Sequence, residues 1–320
     1  MKNGGIWKKG TLVVLVVLLL LVPQQLLADH SKIEAAAAVL IDAQTGEILW
    51  ETEGDRVLPA SGIAQLMTEW LVLDAVRSGR INWEDSVRIG GEPRNDTVQL
   101  SNFYDGKGNS GIPLRSEDQI PLNELFMGLT VSSSKEAEAA LARYAGSSEA
   151  SFAWMMNDKA RRIGMSPSTL FKPVTAGPVR DLDETSADQP LSGSRMTAKD
   201  AAALCRALIE AHPEILRMSS VAQTEISSRS IYLTNNNAML PEFAGPHAYR
   251  GLDGLKVCGS EQDGYSFAGT AQRDGKRLIV VIMGAQSREK SFQSAGRLLD
   301  YGYARSGSIV ERAASWMKLV

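Results

Sequence analysis

Apolar and polar positions alternate in ways that divide this chain into elements before any chemistry is considered. Residues 35–50, AAAAVLIDAQTGEILW, hold two apolar runs around Asp42-Ala43-Gln44-Thr45-Gly46. Turn-forming residues between apolar runs predict a β-hairpin. Helical spacing follows from about Gly62 to Ser78, with Gly79 as its stop. Further helical stretches run from about Leu122 to Val131, Glu136 to Ala145 and Ser148 to Ile163. Thr197-Ala198-Lys199-Asp200 predicts another helix start, because an acid three residues after a threonine resembles a capping box. Residues 224–233 and 264–271 alternate like strands, Arg273-Asp274-Gly275 reads as a turn, and Leu278 to Met283 reads as a buried strand. A last helix is predicted from about Glu289 to Tyr301. Residues 90–113 and 172–196 read as loop.

Strands therefore lie at both ends of the chain and helices in the middle. Neighbouring strands are joined by short turns, which predicts a mostly antiparallel sheet in an α/β (α+β) domain. No repeat or low-complexity linker interrupts it.

The N-terminus has its own pattern. Lys2, Lys8 and Lys9 precede TLVVLVVLLLLV, then Pro23 breaks the run and Leu26-Leu27-Ala28 ends before Asp29. A basic head, a short apolar core and a small final residue predict a secretory signal over residues 1–28. The run of about 12 residues is shorter than the roughly 20 that span a bilayer, but the stretch to Ala28 leaves an uncleaved anchor open. No cysteine follows it to carry a lipid. The working domain, residues 29–303, is expected on the far side of the membrane, secreted or anchored at the cell wall. In the tail, 304–320, Ile309, Val310, Ala313, Trp316 and Met317 recur at rough helical spacing. A packed or frayed terminal helix and a membrane-surface helix both fit that pattern.

Composition narrows the function. A formal net charge of -3 and the lack of an internal basic run argue against nucleic acid as a partner. Cys205 and Cys258 lie far apart, without metal-ligand spacing, and are expected to be free thiols. His30, His212 and His247 are scattered and mark no metal site or triad.

Several stretches together resemble a known family. VLIDAQTGEILWE, LMTEWLVLDAVRSGRI, ALARYAGSSEASFAWMMNDKARRIGM, MTAKDAAALCRALI, GLDGLK and GYSFAGTAQRDGKRLIVVIMGAQSREKSFQSAGRLLDYGY are similar to the serine D-Ala-D-Ala carboxypeptidases, the low-molecular-weight penicillin-binding proteins. The likeness runs from about Ile33 to Tyr303. It implies a β-lactamase/DD-peptidase-like fold: a five-stranded antiparallel sheet flanked by helices, plus a helical lobe. It implies peptidoglycan stem peptides as substrate and no cofactor. Members often carry a second, β-rich domain after the last helix. Only about 17 residues follow Tyr303, so that domain is not expected here.

The family's three catalytic motifs are degenerate in this chain. The first is S-x-x-K, where serine and lysine share one helix face so that the amine can take the hydroxyl proton. Without a gap, LPASGIAQLMTEW puts Gly62 at the nucleophile and Gln65 at the base. Shifted by one residue, it puts Ser61 at the nucleophile and Ala64 at the base. The lysine is missing in either register. In the gap-free register Ser61 is expected to cap the helix. The second motif, S-x-N, reads Ser133-Ser134-Lys135. Lys135 exchanges an amide that donates and accepts for a cation that only donates. It either faces solvent, pairs with an acid such as Glu136, or substitutes as a base. The third, K-T-G, reads Lys256-Val257-Cys258. Lys256 survives, valine replaces the hydroxyl, and Cys258 fills the room that glycine leaves beside a substrate.

Three readings follow from the resemblance. The chain is an inactive homologue that still binds stem peptides through Ser133, Lys135, Lys256, Val257 and Cys258. It is a working carboxypeptidase using Ser61 with an atypical base. Or it is a structural or regulatory partner of a cell-wall protein. Loss of a catalytic group typically costs about 10² to 10⁴ in rate, which favours the inactive readings.

Overall fold

The computed structural model describes residues 33–90, 114, 117–174, 193–260 and 263–306. The predicted leader and most of the tail lie outside them. So do most of the two stretches read as loop.

The hairpin predicted first is present. Strand β1 (Ala37–Asp42) turns back into β2 (Ile48–Thr52). The turn is held by Asp42, whose carboxylate accepts the Gln44 and Thr45 amides at 2.9 and 3.1 Å. After the short β3 (Leu58–Pro59) comes α1 (Ser61–Arg77). Strands β4 (Ser86–Arg88) and β5 (Gln119–Pro121) pair in a small sheet that the alternation pattern did not predict. The helical lobe follows as α2 (Leu122–Ser132), α3 (Lys135–Gly146) and α4 (Glu149–Arg162), each within two residues of its predicted bounds.

Strand β6 (Arg195–Met196) leads into α5 (Ala198–Ala211). Thr197 caps α5 by accepting the Asp200 amide at 3.0 Å, as its sequence predicts. The capping acid goes elsewhere. The Asp200 carboxylate accepts from Ser166 and Thr169 and ties down the connection after α4. Helix α6 (Ile215–Ser219) precedes β7 (Gln223–Ile226) and β8 (Ile231–Thr234). These two strands cover the stretch 224–233, which reads as a single alternating strand. Ser230, in the left-handed region at φ 53°, helps fold it into a hairpin.

Strands β9 (Leu252–Ser260), β10 (Gly264–Arg273) and β11 (Lys276–Ala285) complete the main sheet, and α7 (Arg288–Ser306) covers it. The sheet order is β2-β1-β11-β10-β9, antiparallel throughout. It is the mixed fold with five antiparallel strands that the resemblance implies.

The sheet has a hydrophobic core on each face. On one, Val39, Ile41, Ile279 and Val281 meet α1, α2, α3 and α5. On the other, Leu40, Val280, Ile282 and Phe267 meet Phe292, Leu298 and Leu299 of α7. Each large apolar side chain removed from water contributes about 1.5–3 kcal/mol. Helix α1 is enclosed on nearly every side: Ile63 to Leu73 are all buried. A helix enclosed in this way needs polar partners for whatever polar groups it carries. Gln65, Thr68 and Glu69 are its buried polar residues.

Candidate active site

The three degenerate motifs meet where the first turn of α1, the α2–α3 junction and the edge strand β9 come together. Gln65, Ser133 and Lys256 are tied there by hydrogen bonds into a closed cluster, with Gly62 against Cys258 beside them.

Ala60 occupies the N-cap of α1 and gives no side-chain cap, while Ser61 is already the first helical residue. The expected capping role of Ser61 is therefore displaced by one position. Gly62 follows at the position aligned with the nucleophile. An ideal Cβ built there would lie 2.1 Å from Cys258 Cβ and 2.5 Å from Cys258 Sγ. Real Cβ atoms do not come that close to side-chain carbon. The only group that fits opposite Cys258 is a hydrogen.

The sulfur has little chemistry to offer. Cys258 Sγ sits 3.8 Å from the Ser266 carbonyl, and burial pushes its thiol up to about 12. Nucleophilic cysteines need the opposite shift, towards a stabilised thiolate. Cys205, on the buried face of α5, is fully enclosed, and burial pushes its thiol up to about 12 as well. Both are free thiols.

Gln65 takes the place aligned with the lysine base. Its Nε2 donates to the Ser133 carbonyl at 3.2 Å and to Glu138 Oε2 at 3.1 Å. Thr68, one turn on, donates to Glu138 Oε1 at 3.3 Å. Glu138 is 5% exposed. Desolvation pushes its carboxyl up to about 7, against the pull of Gln65, Lys256, Thr68 and Lys135. An amide can orient such a group but cannot remove a proton from a hydroxyl.

The second motif caps two helices. Ser133 ends α2 in the left-handed conformation at φ 57°, and its Oγ donates to the Val257 carbonyl at 3.2 Å. Ser134 caps α3 by accepting the Ala137 amide at 3.2 Å, and donates to Glu136 at 2.8 Å. Lys135 is the exposed first residue of α3.

The third motif is split between the two cores. Lys256 is 1% exposed. Its Nζ donates to Glu69 Oε1 at 2.5 Å and to the Leu129 carbonyl at 2.9 Å, joining β9, α1 and α2. The Val257 side chain packs in the other core beside Phe267, so only its carbonyl reaches the cluster. The strand is aimed by Asp253, which accepts two guanidinium bonds from Arg277 at 2.8 Å each. A fork–carboxylate pair fixes geometry as well as charge.

The structure thus brings Gly62, Gln65, Ser133 and Cys258 together, with Lys256 adjoining them. It leaves Lys135 at the surface and turns the Val257 side chain away. Sequence reasoning missed Thr68, Glu69 and Glu138. The available signal was polar residues inside the apolar run LMTEWL, and an acid one turn into the stretch after Ser133-Ser134. Among the described residues, no group of three or more histidines, cysteines and acids is placed to hold a metal.

Comparison with known proteins agrees with this architecture. Residues 24–287 match the family described as D-alanyl-D-alanine carboxypeptidase. The chain is 28% identical to D-alanyl-D-alanine carboxypeptidase DacC of Escherichia coli over 86% of its own length and 62% of that protein's. It is 25% identical to DacF of Bacillus subtilis over 85% of its length and 63% of that protein's. The chain thus spans less than two thirds of these relatives. Among solved structures, PBP3 from Streptococcus pneumoniae matches at TM-score 0.72 and 26% identity, over 85% of this chain and 74% of that one. Ampicillin-bound penicillin-binding protein D2 of Listeria monocytogenes matches at TM-score 0.68 and 27% identity, over 85% of this chain and 99% of that one.

Proposed function

The chain belongs to the D-alanyl-D-alanine carboxypeptidase family, and from that premise we propose that it is an exported member that works at the cell wall without hydrolysing stem peptides. One observation carries this reading: Cys258 occupies the space that any side chain at position 62 would need. The gap-free nucleophile is therefore missing and its place is filled. Gln65 replaces the base, and its amide is already bonded to Glu138 and Ser133. Acyl transfer needs a hydroxyl or thiol beside a group that accepts its proton. Neither half of that pair stands at the aligned positions.

A second reading, a structural or regulatory partner of a cell-wall protein, is favoured by a separate observation. Lys256 and Ser133, the two family residues that survive, both spend their hydrogen bonds inside the protein. A lysine with 1% exposure is not presented to a peptide carboxylate. Under this reading, contact with peptidoglycan or a cell-wall protein uses surfaces outside the cluster. The leader-like segment at residues 1–28 supports an extracytoplasmic location and, if uncleaved, a membrane anchor. Among the described residues no helix is long and apolar enough to cross a membrane.

Mass spectrometry of the intact protein after incubation with a penicillin tests the non-hydrolysing claim. An unchanged mass is expected. A covalent adduct would overturn it, and peptide mapping would then show whether Ser61 is the acylated residue, as the alternative active reading requires.

A further inference from the structure

The cluster that closes the cleft holds more acid than base. Glu69 and Glu138 are both buried, and Lys256 is the lysine or arginine buried with them among the described residues. Lys256 already pairs with Glu69 and the Leu129 carbonyl. The cluster is also rich in acceptors. Gln65 Oε1 and Glu69 Oε2 are buried without a hydrogen-bond partner. A proton on Glu138 supplies a donor, which the Thr68 hydroxyl can accept by reversing their 3.3 Å bond. A negative charge on Glu138 adds one more buried acceptor and a second carboxylate beside a single lysine.

Glu138 also stands where the cleft is held together. Its carboxyl bridges α3 to α1 through Gln65 and Thr68. Gln65 continues the bridge to the Ser133 carbonyl, and Ser133 Oγ binds the Val257 carbonyl of β9. We propose that Glu138 is a proton-operated latch on the former catalytic cleft: neutral, it holds α1, α3 and β9 together, and its ionisation loosens that junction.

Few other charges compete for this role. From β9, Lys256 and the Cys258 thiol face Glu138. Its own helix contributes Lys135, and Glu136 is bonded to Ser134. Of the other elements packed on α3, α4 pairs its Glu149 with Arg143, β4 pairs Arg88 with Glu117, and Glu124 of α2 binds Ser228. Further along α1, Asp74 pairs with Lys159 and His212. This latch rests on the sealed-cleft reading above and regulates that same site.

Hydrogen exchange read by mass spectrometry between pH 4.5 and 9, divided by each amide's intrinsic rate, tests the latch on the full chain. The neutral form is favoured closed, so opening grows as pH rises from the ordinary carboxyl value of 4.5 to about 7 and then levels off. Protection in segments 62–69, 134–142 and 254–260 should fall roughly 100-fold over that window, while β10 and β11 change little. Glu138→Gln should keep the acid-side protection at every pH. Thr68→Val removes a bond that favours the ionised form, so its plateau should begin at higher pH. A flat wild-type profile would overturn the latch, as would an unchanged fall in Glu138→Gln. A penicillin adduct would overturn the sealed-cleft reading; a flat exchange profile would leave that reading standing.

Discussion

The two faces of the main sheet bury their residues by different physics. Under α7, the core is apolar: Phe267, Leu278, Val280, Ile282, Phe292 and Leu298 fill it. Under α1, the core is interrupted by Gln65, Thr68, Glu69, Glu138 and Lys256. The apolar face depends on shape and volume alone. The polar face depends on each group keeping a partner, since a buried charge left alone is strongly destabilising and only a change in its partner can relieve it. This contrast separates the packing that builds the fold from the polar cluster at the aligned motif positions.

The largest effect expected from that contrast comes from Lys256→Ala. It leaves Glu69 buried without its cation and should destabilise the fold by about 3–5 kcal/mol, measured by urea unfolding. The paired change Lys256→Met with Glu69→Met should recover most of that loss. On the other face, Phe267→Ala should cost about 3–5 kcal/mol as a cavity, with no single partner change able to restore it. If Lys256→Met/Glu69→Met is as unstable as Lys256→Ala, the partner-dependence of the first face is wrong.

Glu138→Gln comes next. Because the folded state raises this carboxyl from 4.5 to about 7, it binds a proton more tightly folded than unfolded. Its contribution is therefore present below about 4.5 and is lost as pH rises to about 7. The variant lacks that loss, so it should gain stability on the wild type by up to about 3 kcal/mol between pH 4.5 and 8. Denaturant melts at the two pH values read the difference directly.

A smaller effect follows from overpacking. Gly62→Ser should cost about 1–3 kcal/mol because the new Cβ meets Cys258, and Cys258→Gly in the same chain should relieve it. The smallest expected change is Thr197→Ala, which removes the α5 cap for about 1 kcal/mol and leaves the cluster untouched.

Much of the fold was legible because its signals are local. The β1–β2 hairpin and the β11 run announce themselves within about ten residues, and α2 to α4 carry clear helical spacing. Strand β9 was different. Gly254, Lys256 and Gly259 break its alternation, so no periodicity marked it as a strand. The single alternating stretch at 224–233 hid a hairpin, because its Ser-Ser-Arg-Ser turn lacks the glycine that usually signals one.

The site was legible in its positions and hidden in its partners. The motif alignment found Gly62, Gln65, Ser133 and Lys256. It could not find that Lys256 pairs with Glu69 across 187 residues, or that Gln65 meets Glu138 across 73. Such contacts depend on how α1 lies against β9 and α3. Nothing in the local pattern records that Cys258 and Gly62 share one space.

That shared space is the central claim, and three proteins tested side by side with a penicillin probe it most directly. The native chain, Gly62→Ser/Gln65→Lys, and Gly62→Ser/Gln65→Lys/Cys258→Gly would each be weighed intact after incubation. The account predicts an adduct only on the third, where a nucleophile, a base and room for both are present together. An adduct on the native chain, or equal extents (zero included) on the second and third, would contradict it.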